Sequence, residues 1–102
     1  MSVRWTQRAF ADLDSILDAI AADRPEAARR VVESLLSHAD GLRAHPHRGR
    51  PGRLHETREL VVPRLPYVIV YALRASLVEA APEITVLRVL HGAMRWPPHK
   101  SA

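Results

Sequence analysis

The chain of 102 residues contains no cysteine, a single lysine, four glycines and five aromatic side chains. The first absence removes disulfides, thiolate metal sites and a cysteine nucleophile together. No run of about 18 apolar residues exists, and no basic-then-apolar leader opens the chain, so a soluble cytoplasmic protein is expected. The few glycines form no phosphate cradle, because Arg48-Gly49-Arg50-Pro51-Gly52 lacks the strand before it and the helix after it. The six serines sit in no nucleophile elbow. His45 and His47, which with His55 could form a metal site, flank Pro46 in a basic loop with no carboxylate placed to orient either ring. No metal and no cofactor are therefore expected.

What is present is one domain's worth of globular sequence, 47% apolar and 25% charged. The net charge of +4 is carried almost entirely by fourteen arginines, and it is unevenly spread. Residues 6–44 hold seven acids against five Arg, net −2, whereas residues 45–102 hold eight Arg and Lys100 against four Glu, net +5. The second half suits phosphate or an acidic protein, and the first half does not.

Residues 1–5 read as a short strand, with Thr6 as the N-cap of a helix whose apolar positions are Ala9, Phe10, Leu13, Ile16, Leu17, Ile20 and Ala21. Asp12, Asp14 and Asp18 are assigned to its wet side. Pro25 and Glu26 open a second helix with a stripe at Ala28, Val31, Val32, Leu35, Leu36, Ala39 and Leu42. So short a gap between two amphipathic helices predicts a hairpin over 6–44. Residues 45–57 form a basic, Pro- and Gly-containing connector without regular structure. A three-strand meander over 58–92 follows, with strands at 58–62, 67–73 and 84–91, and then a tail over 93–102 containing Trp96. The expected fold is α+β, a small antiparallel sheet of order β-α-α-β-β-β with the hairpin on one face. The middle strand is apolar at both odd and even positions, so the second face also demands cover, which a partner's helix or strand is expected to supply, with the chain's own tail as the alternative.

The meander and tail gather Arg58, Arg64, Arg88, His91 and Arg95. Arginine and histidine converging on a sheet are the groups that would hold a phosphodiester and move its proton.

Several segments in order carry a resemblance. They are Trp5-Thr6, Ala9 and Asp12-Leu13, then Pro25-Glu26-Ala27-Ala28 and Gly49-Arg50-Pro51-Gly52-Arg53. Thr57-Arg58-Glu59-Leu60-Val61, Pro66 to Tyr71, and Val86 to Gly92 with Arg95 complete them. Over almost its whole length the chain resembles the RelE/ParE superfamily of type II toxin–antitoxin toxins, and more closely its ParE, plasmid-stabilisation branch. The resemblance implies neutralisation by an antitoxin whose acidic, amphipathic C-terminal segment wraps the toxin. ParE-like toxins poison DNA gyrase, and RelE-like toxins cut mRNA on the ribosome. Val68 follows Tyr67 where RelE-like nucleases tend to carry Arg, and Trp96 follows Arg95 where they tend to carry Tyr. This favours a non-enzymatic gyrase poison, with no direct DNA binding by the toxin alone. The expected target contacts are Arg58, Arg88, His91, Arg95 and Trp96. Tyr67, Tyr71, Leu87 and Val89 are expected as core or antitoxin contacts. The alternative is a ribosome-dependent endoribonuclease using Arg58, Arg88, His91 and Arg95, and a third reading is an inactive relic.

Overall fold

The structure is a computed structural model and describes residues 3–78 and 80–92. Its elements are β1 (Val3–Trp5), α1 (Gln7–Ala21), α2 (Pro25–Gly41), β2 (Arg50–Pro51), β3 (Thr57–Val61), β4 (Tyr67–Arg74) and β5 (Glu83–His91). The expected tail over 93–102 lies outside the described residues. The sheet order is β1-β5-β4-β3-β2, with β2 to β5 antiparallel to their neighbours and β1 parallel to β5. The sheet is thus mixed rather than purely antiparallel. Between β1 and the meander the chain crosses two helices, and such a crossover lets a strand return parallel to its partner.

Local signals explain the helix boundaries. The Thr6 hydroxyl accepts the Ala9 N–H at 3.0 Å, closing the first turn of α1, and donates to the Leu87 carbonyl at 3.1 Å. One side chain therefore caps a helix and ties it to the sheet. Pro25 begins α2 at a position where its missing N–H costs nothing. Ala9 and Leu13 of α1 and Leu35, Ala39 and Leu42 from α2 and its end pack on Leu60, Ile69, Tyr71, Ile84, Val86 and Val89 of the sheet. Each large side chain buried this way contributes about 1.5–3 kcal/mol before ordering costs.

Three expectations fail here. Phe10 and Leu36, placed on the buried stripes, are 51% and 41% exposed. Phe10 instead stacks on Trp5, ring centroids 5.6 Å apart. Asp12, assigned to water, is tucked against β5, and only Asp14 and Asp18 are exposed. The second sheet face does not wait for a partner at its centre. Val68, Val70 and Leu90 alternate away from the helical layer, yet are 5%, 0% and 2% exposed within the chain itself.

Candidate functional site: the basic face and its stapled loop

The connector between α2 and β3, expected to lack regular structure, contains the two-residue strand β2 paired with β3, and three side chains fix it to the sheet. Tyr71, fully buried on β4, donates its hydroxyl to the Pro46 carbonyl at 2.7 Å and accepts the Gly49 N–H at 2.9 Å. Arg58 on β3 donates to the Gly49 carbonyl at 2.9 Å and to the His47 carbonyl at 3.2 Å. Glu59, 1% exposed, receives the Arg53 N–H at 2.9 Å, the Arg53 guanidinium at 3.1 Å through two nitrogens, and Arg50 at 3.2 Å. Burial alone would raise the Glu59 pKa, but the hydrogen bonds from the side chain and backbone of Arg53, with that of Arg50, outweigh it and hold the carboxyl below its usual value.

Glycine is required where this loop touches the sheet. A Cβ on Gly49 would lie 2.7 Å from the Tyr71 hydroxyl oxygen, and one on Gly52 would overlap the Thr57 hydroxyl. Two turn residues, Glu56 and Arg64, hold positive φ without being glycine, at 62° and 65°. That conformation costs a β-carbon-bearing residue roughly 1 kcal/mol each.

The five expected target residues fall into three sets. Arg58 is committed to loop carbonyls, as above. Arg88, with a side chain 15% exposed, meets Asp12 in a two-pronged pair at 2.8 and 3.1 Å. Asp12 also accepts the Val89 N–H at 2.9 Å, where β5 has run past the end of β1. His91 is exposed at the end of β5, its ring edge-on to Tyr67 with centroids 5.8 Å apart. Arg95 and Trp96 lie outside the described residues. Of the four expected core or antitoxin contacts, Tyr71 and Val89 are core. Burial removes those two as surface contacts in this conformation. Tyr67 and Leu87 remain partly exposed, Leu87 beside the register shift at Val70/Tyr71. Asp12, Gly49 and Glu59 lie in the segments that carry the family resemblance, but none was expected among the site residues, although they hold this loop and β5 in place.

Beside the loop, a groove of about 670 Å³ opens between His47, His55, Arg58, Arg74 and Leu87. Among the described residues no trio of His, Asp or Glu is arranged to hold a metal ion, and no helix is long and apolar enough to cross a membrane.

Removal of one oxygen probes the staple. Tyr71→Phe is expected to cost about 1–2 kcal/mol, because it leaves the buried Gly49 N–H and Pro46 carbonyl without their partner. Amide exchange should speed up at Gly49 while the centre of β4 stays protected. Unchanged exchange at Gly49 would show that the hydroxyl does not hold the loop.

A two-helix layer on a five-stranded mixed sheet, with a basic second half, defines the RelE/ParE class of toxin fold. The chain belongs to the ParE toxin family: the family model described as the ParE toxin of the type II toxin–antitoxin system parDE matches residues 3–96. It is 40% identical over 95 residues to the putative toxin Y4kP of Sinorhizobium fredii, covering 93% of this chain and 92% of that one. It is also 40% identical over 91 residues to the toxin RelE2 of Caulobacter vibrioides, covering 89% and 94%. A solved structure titled the chromosomal ParDE TA system from P. aeruginosa matches with a TM-score of 0.75 at 29% identity, covering 87% of this chain and 92% of that one.

Proposed function

We propose that this ParE-family toxin arrests growth in the cytoplasm by binding and poisoning DNA gyrase without cutting a covalent bond, and that a cognate antitoxin neutralises it by direct contact. The observation that carries the reading is the employment of Arg58 and Arg88. Both are needed for the phosphodiester chemistry of the alternative, and both are already bonded, one to loop carbonyls and one to Asp12. A guanidinium so engaged is poorly placed to take up charge developing in a transition state. In this reading Arg58 and Arg88 position the surface, while His91, with Arg95 and Trp96, meets the target. Tyr67 and Leu87 face the antitoxin's acidic, amphipathic segment.

The name of the Caulobacter relative favours the second reading, an mRNA endoribonuclease, so the test must separate the two. The chain is induced with and without its neighbouring gene, and plasmid supercoiling and mRNA integrity are followed in the same cells. The expected outcome is arrest with relaxed or broken DNA and intact mRNA, relieved by the neighbour. Cleaved mRNA with normal supercoiling would overturn the gyrase reading, and absence of arrest would overturn toxicity altogether.

A further inference from the structure

The loop between α2 and β3 is held far more firmly than a connector requires. Between Pro46 and Arg53 it receives bonds from Tyr71, Arg58 and Glu59, and the Arg48 N–H closes a turn on the His45 carbonyl at 3.1 Å. Loops of ordinary connectors move and tolerate change, whereas loops fixed on a rigid scaffold commonly present binding residues. Burying a carboxylate under two arginines is also a poor route to stability, since apolar side chains of similar volume usually do as well. The bonds from Tyr71, Arg58 and Glu59 tie the loop to β3 and β4. On its outer side His45, His47 and Arg48 are exposed, and Arg48 has no carboxylate partner among the described residues. Arg50 and Arg53 lean on Glu59 but keep 58% and 43% of their side chains exposed. A shallow hollow of about 430 Å³ runs along Ala44–Arg48.

We propose that this stapled loop is the surface by which the toxin grips a carboxylate-bearing patch of its protein target, with His45, His47 and Arg48 as direct contacts and Arg50 and Arg53 at the rim. The inference rests on the reading of gyrase as the target. Three guanidiniums over one carboxylate leave the loop with +2. That is too little for duplex binding, which draws its affinity from neutralising roughly 6–10 phosphates. Nor does the loop carry a Phe, Tyr or Trp, the rings on which a single strand's bases stack most strongly. A few fixed donors suit a few carboxylates instead, because the forked guanidinium of arginine matches a carboxylate's two oxygens.

The test uses full-length toxin, purified gyrase and the triple variant His45→Ala, His47→Ala, Arg48→Ala, with Arg30→Ala on the exposed face of α2 as a charge control. Wild type and control should inhibit supercoiling alike, and the triple variant should need at least about tenfold more protein, as when central contacts of an interface are removed. Its melting temperature and its capture by antitoxin should match wild type. The same loss should appear in binding to gyrase without DNA. If wild type inhibits and the triple variant does so equally, the loop is not the contact, and the gyrase reading stands. If wild type leaves gyrase untouched, both fall. If the loss appears only with DNA present and wild type shifts bare duplex, the ligand is phosphodiester and the carboxylate assignment is overturned.

Discussion

Replacing Asp12 by alanine is expected to destabilise the protein by about 3 kcal/mol, the low end of the range for removing one partner of a buried ion pair, because this pair is only partly buried. Two losses coincide. Arg88, 15% exposed, keeps its charge but loses both hydrogen bonds, and the Val89 N–H loses its acceptor. Val89 lies where β1 no longer flanks β5, so no neighbouring strand can replace that acceptor. For a domain of this size the melting temperature should fall by at least about 12 °C. Asp12→Asn should lose less, because an amide oxygen can still accept from Val89. The double variant Asp12→Ala, Arg88→Leu should recover part of the loss, because it also removes the partly buried guanidinium that the Asp12 carboxylate had balanced. A loss below about 1 kcal/mol, or no recovery in the double variant, would mean that the pair is solvated and ordinary.

The same residue shows how far the sequence could be read. On a helix turning about 100° per residue, Asp12 lies about 60° from Ala9 on one side and Phe10 about 100° on the other. Periodicity therefore makes both of them borderline, and hydrophobicity then assigned each to the wrong environment. Tertiary contacts decided instead: β5 needed an acceptor for an edge N–H, and Phe10 found Trp5 at the rim. Apart from the two-residue β2, the element order, Thr6 as a cap, Pro25 as a start and the three meander strands were legible, because each depends on neighbours within a few residues. The buried second face was misjudged for the opposite reason. A run apolar at odd and even positions shows that both faces need cover but cannot say whether the chain itself provides it. Fragments of the site were visible as isolated basic residues. What escaped was that Arg58 and Arg88 already have work inside the fold, since their partners, His47, Gly49 and Asp12, lie 9 to 76 residues away.

Glu59→Gln is expected to release the loop, cost about 2–3 kcal/mol near neutral pH, and change how stability responds to acid. The substitution keeps the volume but removes the charge that draws Arg53 and Arg50 onto β3, and hydrogen bonds to charged groups are worth about 1.5–3 kcal/mol. The cost stays modest because both guanidiniums remain substantially exposed and can return to water. The sign of the pH effect follows from the direction of the shift. Glu59 has a lower pKa folded than its ordinary 4.5, so the unfolded chain takes up the proton first as pH falls. Its contribution is therefore fully present above about 4.5 and is lost as pH drops through the folded value. Wild type and Glu59→Gln should accordingly differ most above about pH 4.5 and converge as the pH falls below it, whereas variants such as Tyr71→Phe should keep their gap. Urea midpoints measured down the acid range test this, with amide exchange at Arg53 and Gly49 reporting the loop itself. A gap that does not close in acid would mean that the Glu59 carboxylate is not what holds the loop. Closure together with faster exchange at Arg53 would tie one buried charge to the loop's fixed position. The variant's weaker grip on its target would then be a consequence of a mobile loop, with every outward-facing contact still present.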